Sequence, residues 1–419
     1  MSVIRNYIIA ALALMTATGS GATDFSRGRL LVCEGQYGAD YGSIAFFGED
    51  GSSLYRAFSS QNPGSFLGTT SQSGCVHNRT VYVVSKDAIG GGFITAMDAT
   101  TLNFKGSLNE LPGHVQAFYL NVVSSGKGYL STSEGLYIID LENMEVRGRV
   151  SGNGLSSGMF GQSLLHDDKL FVVSRRDGVV VIDSETDGVL RIIPVSGASA
   201  IACSDNGTIY VGTTDSAGEI VEISAKDFST HKIDIDGSIA AMTDIWESWA
   251  LQPFVFNATD NAILLAGRYS STVGRYDIVN GDFVPDFIRL PEASGNFNNV
   301  LYGQGISLNP YDGTVSVITA EAVGDYFNDC FRIYSADAST GAIIPDRTIE
   351  LPEGYWFPAQ MLYPSMESSG IEPVVNDTEL KTAVFTPDGR IVLPDAGMDE
   401  VMSLPCGIYI FGGRKIVVR

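Results

Sequence analysis

Six glutamines recur at the points where short apolar strand patterns begin along the chain. They are Gln72, Gln116, Gln162, Gln252, Gln304 and Gln360. A further copy of the pattern has Ser199 or Ala200 at this point. Each glutamine amide offers N–H donors and a carbonyl acceptor. If the strands line a common channel, the amides form a ring at one mouth that could bind a polar ligand, an ion or ordered water. Alternatively, the glutamines satisfy backbone groups where the inner strands crowd together.

Aromatic residues shortly precede several of these glutamines. Trp249, Tyr302 and Trp356 fall on three neighbouring copies of the pattern, in loops that lead into the innermost strands. We expect these three side chains to form one aromatic wall at the same mouth. Flat rings above an amide floor suit a large planar or sugar-like ligand. The alternative is that the rings fill seams between sheets. The segment EAVGDYFNDC, residues 321–330, is interpreted as an inserted loop, where binding functions usually reside.

Residues suited to catalysis are sparse. The sequence contains four histidines, without metal-ligand spacing, at His77, His114, His166 and His231. Two of them, His77 and His166, occupy matching positions and are interpreted as strand-end residues. No serine-nucleophile elbow, phosphate loop or EF-hand occurs, and the five cysteines lack a C-x-x-C pair. The sequence therefore predicts no catalytic residue and no metal site, and it does not identify a cofactor.

A repeated strand pattern must position these residues. The segment from Met159 to Val189, MFGQSLLHDDKLFVVSRRDGVVVIDSETDGV, holds three short strands separated by polar turns. Similar segments begin at Ser71, Val115, Ser199, Leu251 and Gly303. In each, the third strand closes in a hydrophobic-Asp or similar corner, and a short fourth strand follows. Four strands in about 40 to 50 residues are typical of a β-propeller blade.

Two partial copies lie at the ends of this repeat region. The segments RLLVCEG, SIAFFGE and SLYRAFS match the second, third and fourth strands of a blade, and WFPAQMLYP matches a first strand. Together they predict a seventh blade that both ends share. The predicted fold is therefore all-β, a seven-bladed β-propeller over residues 23–365, in preference to six or eight blades.

The N-terminus predicts export. Residues 1–22 combine a basic Arg5, an apolar run from Tyr7 to Met15 and small residues up to Ala22, which is the pattern of a secretory signal peptide. No later apolar run approaches the roughly 20 residues that a membrane-spanning helix needs. No cysteine directly follows the small residues, so a lipid anchor is not indicated. Residues 366–419 are predicted to hold a linker and a small β domain with turns at PDG and FGG.

The charge balance limits the partners. With 26 basic and 48 acidic residues the net charge is −22. This charge repels phosphate backbones and anionic lipid headgroups, so neither nucleic acid nor a membrane surface is expected as a partner. The acidity is interpreted as keeping an exported, monomeric protein soluble.

The C-terminal segment resembles the sorting domains of Bacteroidetes proteins. The residues that carry this resemblance are FTPDGRIV and GIYIFGGRKIVVR. Phe385 stands where the family usually has Tyr, and Phe411-Gly412 where Val-Asn is common. The resemblance implies export by the type IX secretion machinery, with attachment to the cell surface or release.

The repeat region is similar to Bacteroidetes propellers of the YVTN surface-layer type. The similarity rests on LLVCEGQYG, LYGQGISLNPYDGTVSVI and FRIYSADASTGAI. Some surface relatives capture cobalamin and pass it to an outer-membrane transporter. Those relatives are lipoproteins, whereas this chain lacks the lipid-anchor cysteine. The resemblance implies a propeller, with a corrinoid ligand and a transporter partner as expectations.

Three hypotheses of function follow. The first is an exported, non-enzymatic propeller that binds a small molecule or glycan at the glutamine-and-aromatic mouth. The second is a propeller enzyme of lactonase-like or quinoprotein-like type, which buried carboxylates around a metal in a dry channel would favour. The third is a protein-interaction scaffold, which a closed mouth and an exposed apolar patch elsewhere would favour.

Overall fold

A computed structural model of the protein describes most of the repeat region and parts of the C-terminal segment. The described residues are 23–214, 219–235, 252–267, 269–324, 326–364, 382–386, 390–396, 400–401, 404–405, 407–411 and 414–418. The chain divides into two compact units, Met1–Glu367 and Ser368–Arg419. The predicted signal peptide, residues 1–22, lies outside the described residues. Among the residues that are described, no helix has the length and apolar character needed to span a bilayer.

The first unit begins with three strands and one short helix. They are β1 (Gly28–Cys33), β2 (Ser43–Gly48), β3 (Ser53–Leu54) and α1 (Ala57–Gln61). Six sheets then follow in chain order, each an antiparallel meander of four strands.

Sheets 1 to 3 follow α1. Sheet 1 contains β4 (Thr69–His77), β5 (Thr80–Asp87), β6 (Ile94–Asp98) and β7 (Phe104–Leu108). Sheet 2 contains β8 (Ala117–Ser124), β9 (Lys127–Thr132), β10 (Leu136–Asp140) and β11 (Glu145–Arg149). Sheet 3 contains β12 (Phe160–His166), β13 (Lys169–Ser174), β14 (Gly178–Asp183) and β15 (Val189–Ile193).

Sheets 4 to 6 repeat this arrangement. Sheet 4 contains β16 (Ala198–Cys203), β17 (Thr208–Thr213), β18 (Glu219–Ser224) and β19 (Thr230–Asp234). Sheet 5 contains β20 (Phe254–Asn257), β21 (Ala262–Leu265), β22 (Thr272–Asp277) and β23 (Phe283–Arg289). Sheet 6 contains β24 (Asn298–Leu308), β25 (Thr314–Val323), β26 (Tyr326–Asp337) and β27 (Ile349–Glu350), with a 3-10 turn at Pro345–Arg347 before β27.

Sheet 7 combines both ends of the unit. The last strand, β28 (Pro358–Leu362), pairs antiparallel with β1, so that Leu30 lies opposite Leu362. The strand order of sheet 7 is β28-β1-β2-β3. This confirms the pairing that the sequence predicts between the WFPAQMLYP and RLLVCEG segments.

The first strands of the seven sheets are neighbours. Contacts run from β4 to β8, β12, β16, β20, β24 and β28 in chain order, and β28 also contacts β4. The series therefore returns to the strand from which it started.

Apolar side chains fill the space between successive sheets. The second strands are buried on both faces: Leu170 and Val172 of β13 belong to an apolar cluster with sheet 2, whereas Phe171 and Val173 belong to one with sheet 4. Further clusters join sheets 4, 5 and 6, sheets 6 and 7, sheets 7 and 1, and sheets 1 and 2. Because successive residues of a strand point to opposite faces, a continuous apolar run such as KLFVVS is what a strand between two neighbouring sheets requires.

Most third strands end in an aspartate that stabilises the following turn. Asp98, Asp140, Asp183, Asp277 and Asp337 close these strands. Each carboxylate accepts hydrogen bonds from the backbone N–H groups two and three residues later. The residue four positions later has positive φ in all five turns. This geometry confirms the hydrophobic-Asp corners predicted from the repeats.

The second unit contains one four-stranded antiparallel sheet. Its strands are β29 (Thr382–Phe385), β30 (Ile391–Ala396), β31 (Gly407–Phe411) and β32 (Arg414–Val418), in the order β30-β29-β31-β32. Val384, Ala396, Val401 and Tyr409 form its buried core. Phe385, at the position where the sorting domains have Tyr, pairs with Ile391 and Ile410. The predicted PDG turn and Gly412 of the FGG turn lie outside the described residues.

Candidate functional site

The first strands β28, β4 and β8 begin at one common end. The Gln72 amide of β4 donates a 2.7 Å hydrogen bond to the carbonyl of Ala117, the first residue of β8. The Ser73 hydroxyl donates to the carbonyl of Phe118 at 2.8 Å. Since these bonds join residues near the starts of neighbouring strands, the strands run in the same direction. We call this the entry end; it carries loop 34–42 between β1 and β2, loop 62–68 before β4 and loop 351–357 before β28.

Irregular pairing marks the first strands near the entry end. In β4, β8, β16 and β28 one residue has no partner in the register of the second strand, at Gln72, Phe118, Ser199 and Ala359. In β12 the two residues Gly161 and Gln162 interrupt the register, and in β24 residues 302–305 do so. Such β-bulges bend a strand and redirect its side chains.

The six glutamines lie near these bulges but not at one register position. Gln72, Gln162 and Gln304 lie within bulges, and Gln360 directly follows one. Gln116 precedes β8, and Gln252 lies two residues before β20. The column seen in the sequence is therefore approximate in three dimensions.

Two of the glutamines connect neighbouring sheets. Gln72 is 2 % exposed. Its Nε2 donates the hydrogen bond to the Ala117 carbonyl, and its Oε1 is also buried. The Oε1 of Gln360 accepts a 2.7 Å hydrogen bond from the Gly74 N–H of sheet 1. These contacts agree with the alternative that the glutamines satisfy backbone groups where the inner strands crowd together.

The other four glutamines, Gln116, Gln162, Gln252 and Gln304, are half-buried. The Oε1 of Gln304 accepts a long, 3.4 Å hydrogen bond from the Ser307 hydroxyl. Ser199, which takes the glutamine position in sheet 4, donates a 3.1 Å hydrogen bond to the carbonyl of Gly212 within its own sheet. The four glutamines are partly exposed as residues, although the Oε1 of Gln162 is itself buried.

An aromatic cluster lies at the entry end between sheets 6 and 7. It consists of Tyr269, Tyr302, Phe327, Phe331, Trp356 and Phe357. Tyr302 and Trp356, both predicted from the sequence, are half-buried members of it. The third predicted wall residue, Trp249, lies outside the described residues.

Phe357 and Phe331 join the two predicted residues. The ring centroid of Phe357 lies 5.3 Å from that of Tyr302 and 5.5 Å from that of Trp356. Phe331 lies 5.7 Å from Trp356 and 6.3 Å from Tyr302. Most of these pairs are edge-to-face or tilted, which is the favoured arrangement of aromatic rings and gives the cluster a defined shape.

A buried carboxylate borders the aromatic cluster. Glu34, at the end of β1, is buried, and its backbone N–H donates a 2.8 Å hydrogen bond to the carbonyl of Phe357. The Tyr302 hydroxyl donates a 3.4 Å hydrogen bond to Glu34 Oε1. Phe357 has φ 59°, a left-handed conformation that is uncommon for a residue other than glycine and that concentrates at functional sites. The site thus combines apolar ring faces with one phenol and one carboxylate.

The predicted inserted loop at residues 321–330 is mostly strand. β25 and β26 extend past the neighbouring sheets as a long hairpin, and Phe327 packs on Tyr302 and Phe357 at centroid distances of 5.5 and 5.9 Å. The preceding residue, Tyr326, is exposed. The hairpin therefore supplies one side of the aromatic cluster.

An ion pair holds this hairpin together. Glu321 is 3 % exposed, and its carboxylate pairs with Arg332 on the adjacent strand and accepts a 3.2 Å hydrogen bond from the Asn328 amide. Burial raises the pKa of Glu321, but the hydrogen bonds from Arg332 and Asn328 outweigh it, so that the pKa is lowered. Glu321 is therefore ionised at neutral pH.

The nearby thiol is not activated. Burial raises the pKa of Cys33 and of Tyr355, both at the seam between sheets 6 and 7. A thiol of raised pKa stays protonated and is a poor nucleophile at neutral pH. The chemistry that the cluster supports is binding through ring faces and hydrogen bonds.

Glu34, Phe331 and Phe357 are parts of the site that the sequence alone did not predict. Phe331 lies inside an ordinary apolar strand run, and Glu34 follows one. A signal for Phe357 existed, since it lies beside Trp356 directly before a first strand.

Comparison with known proteins establishes the family. The model of a domain of unknown function, DUF5074, matches residues 27–364, which is most of the chain. The chain belongs to the DUF5074 family. No functionally curated protein matches the chain significantly.

Solved structures resemble the DUF5074 chain in fold. One is the extracellular domain of a one-component system from B. thetaiotaomicron, with a TM-score of 0.50 and 13 % identity over 80 % of this chain. This chain spans 52 % of that protein's chain. Another is the computationally designed protein Ika8, with a TM-score of 0.47 and 12 % identity, covering 81 % of this chain and 91 % of the designed one.

Two histidines of this DUF5074 chain lie at the ends of first strands. His77 and His166 end β4 and β12, which confirms their interpretation as strand-end residues. The Nδ1 of His166 lies 3.7 Å from the Cys203 thiol, whose pKa is raised to about 11 by burial and by neighbouring carboxylates. In the described part of the chain, no group of three or more His, Cys, Asp or Glu side chains is arranged to hold a metal ion.

Proposed function

We propose that this protein is an exported seven-bladed β-propeller that binds a small molecule or glycan at its entry end, without catalysis. The implied partners are a ligand at this mouth, the secretion machinery and an outer-membrane transporter. Nucleic acid is not among them.

The propeller architecture is supported by the cyclic order of contacts. Seven four-stranded sheets follow one another, the first strands of neighbouring sheets touch, and β28 contacts both β24 and β4. Apolar clusters fill every interface between successive sheets, including those of sheet 7 with sheets 6 and 1. A four-stranded sheet with two apolar faces needs such neighbours on both sides.

Export is supported by the two ends of the sequence. The first 22 residues have the composition of a signal peptide. The last residues, GIYIFGGRKIVVR, resemble the sorting domains of the type IX route. They form the paired strands β31 and β32, and the side chain of Tyr409 in β31 is buried. The final location in this proposal is the cell surface or the medium.

Ligand binding rests on one observation, the half-buried aromatic cluster at the entry end with Glu34 at its border. Tyr302 and Trp356 contribute ring faces, and the Tyr302 hydroxyl and the Glu34 carboxylate are polar groups close to those faces. Mostly apolar walls with a few placed polar groups are characteristic of small-molecule sites. A ligand with a flat apolar face and hydrogen-bond donors, such as a corrinoid or a sugar ring, matches this chemistry.

A thermal-shift screen tests the proposal. The mature chain is melted with cyanocobalamin, haem, neutral oligosaccharides and divalent metals, each at several concentrations. A ligand that binds only the native state raises the melting temperature progressively with concentration. We expect at least one organic probe to do so, and we expect Trp356→Ala to abolish that rise.

Tyr311→Ala is the matched control, because Tyr311 is an exposed aromatic residue in the turn between β24 and β25, opposite the entry end. A rise that persists in Trp356→Ala, or stabilisation by metals alone, would contradict the proposed site.

A further inference from the structure

A second set of exposed aromatic residues lies on the entry-end loops of sheets 7 and 1. Tyr37 and Phe66 are 73 % and 46 % exposed, and both are separate from the aromatic cluster of the proposed function. The ring of Tyr41, on the same loop as Tyr37, lies 5.0 Å from the Phe66 ring, with a 37° angle between the ring planes. We call Tyr37, Asp40, Tyr41, Arg56 and Phe66 the loop platform.

A glycine allows the loop after β5 to pack closely on the Tyr41 ring. Gly90 has φ +85°, and a Cβ added there would lie 2.2 Å from Tyr41 Cε1, so the loop after β5 packs directly against the ring. A Cβ on Gly91 would lie 2.4 Å from the Phe66 carbonyl oxygen. Loop 88–92 therefore packs against the Tyr41 ring and against the backbone of the loop that carries Phe66.

An ion pair lies beside the rings. Both Nη atoms of Arg56 contact the Asp40 carboxylate, with the longer hydrogen bond at 3.3 Å, and the Tyr41 N–H donates a 2.9 Å hydrogen bond to Asp40 Oδ1. The two side chains are partly exposed. Arg56 has φ 54°, a conformation that carries strain for a residue other than glycine. Arg56 and Asp40 together present fixed donors and acceptors to solvent.

Aromatic faces beside an oriented carboxylate–guanidinium pair match the chemistry of a sugar. A pyranose ring has a flat face of C–H groups, which packs on aromatic rings, and hydroxyl groups that both donate and accept hydrogen bonds. The net charge of −22 disfavours anionic polysaccharides and nucleic acids. A protein partner would need about 800 Å² of contact on each side, and Asp40, Arg56, Gly38 and Gly64 interrupt the apolar surface.

We infer that the loop platform is a second binding site, for a neutral polysaccharide. None of its residues belongs to the aromatic cluster, although Tyr37 lies on the same loop as Glu34, so variants of Trp356 and of Phe66 distinguish the two sites. The rings supply the contact area, and Asp40 and Arg56 orient the sugar hydroxyls.

Affinity gel electrophoresis of the full chain tests this inference. Native gels contain hydroxyethyl cellulose, galactomannan or soluble starch, with polygalacturonate as the acidic probe. We expect at least one neutral polysaccharide to retard the protein. Phe66→Ala and Tyr37→Ala should each weaken retardation about tenfold in dissociation constant, and Arg56→Lys should weaken it less. Tyr311→Ala, at the opposite end, should leave it unchanged.

Each contrary outcome is distinct. No retardation by any neutral polysaccharide, or retardation by polygalacturonate alone, overturns the inference. Retardation that is lost in Trp356→Ala but kept in Phe66→Ala and Tyr37→Ala also overturns it, while supporting the proposed function. Because Tyr37 and Phe66 are exposed, the variants should melt within a few degrees of the parent chain, which shows that they fold.

Discussion

The side-chain carbonyl of Gln360 accepts a hydrogen bond from the backbone N–H of Gly74, across 286 residues of sequence. The bond joins β28 of sheet 7 to β4 of sheet 1. A Cβ on Gly74 would lie 2.7 Å from the backbone carbonyl oxygen of Tyr82 and 2.8 Å from Leu362 Cδ1, so a larger residue there would force the backbone to shift. One predicted binding residue therefore also joins sheet 7, which both ends of the unit share, to sheet 1.

Removal of this amide should destabilise the fold. Gln360→Ala leaves the buried Gly74 N–H without its acceptor, which typically costs about 1–3 kcal/mol. Urea unfolding followed by tryptophan fluorescence measures the loss. Gln304→Ala is the matched control, since Gln304 is half-buried and its amide oxygen accepts a long bond. Equal losses for the two variants would contradict a role of Gln360 in joining the sheets.

Gly303 should not tolerate a side chain. It has φ +62°, and an added Cβ would lie 2.4 Å from the carbonyl oxygen and 2.6 Å from the Cα of Ala359, both backbone atoms. Gly303→Ala is expected to lower stability by more than the roughly 1–3 kcal/mol that a left-handed conformation alone costs. Gly281→Ala gives the comparison, because Gly281 has φ +74° and open space around its Cα. If chemical denaturation gives similar losses for both, the close approach of β24 to β28 does not matter energetically.

The ion pair between Glu321 and Arg332 in the long hairpin should contribute strongly to the free energy of unfolding. Glu321→Gln leaves Arg332 without its buried partner, and the removal of one member of a buried pair costs about 3–5 kcal/mol. Because Arg332 is 21 % exposed, we expect the lower part of this range. Lys232→Ala removes a lysine that is 66 % exposed from its pair with Glu219 and should cost under about 1 kcal/mol. A double-mutant cycle with Arg332→Met isolates the coupling, and a value near zero would contradict the prediction.

The turn aspartates should make stability depend on acid. Hydrogen bonds from the Thr340 hydroxyl, and then from the Thr340 and Ser339 backbone N–H groups, lower the pKa of Asp337. A lowered pKa in the folded state stabilises the protein above the unfolded value of about 3.9, and this stabilisation is lost as the pH falls through the folded pKa. Asp337→Asn should therefore lower the melting temperature at pH 6 and flatten its decline below about pH 4.

Asp282→Asn, at an exposed position directly before β23, removes the same charge without removing the Asp337 turn hydrogen bonds and is the charge-matched control. Melting curves between pH 6 and pH 2.5 are recorded for the parent chain and for both variants. A parallel decline for Asp337→Asn would show that its carboxylate does not contribute.

The sequence predicted the elements that repeat. A corner such as VVVID can be recognised from local sequence, since Asp183 accepts hydrogen bonds from backbone N–H groups within the next three residues. The pairing of β28 with β1 was predictable because each partial copy lacked the strands that the other supplied. Both signals are local or periodic, and neither needs knowledge of distant contacts.

The site was predictable only in part. Tyr302 and Trp356 lie in one cluster as expected, but Phe331 and Phe357 connect them, and a buried strand phenylalanine carries no sequence mark of a site. The glutamines do not share one register position, because a bulge of one residue in β4 and one of four residues in β24 shift Gln72 and Gln304 by different amounts. Bulge size depends on packing between neighbouring strands, which a single sequence does not display.

The shared seventh sheet sets the timing of assembly. During synthesis β1, β2 and β3 are made before the other strands, yet β1 gains its partner β28 only more than three hundred residues later. Until then the nascent polypeptide keeps an open flank with apolar residues such as Leu31 uncovered. A polypeptide that stops before β28 would keep this unpaired, apolar strand edge permanently and would be prone to aggregate. The first unit can therefore close only after all of its strands have been made.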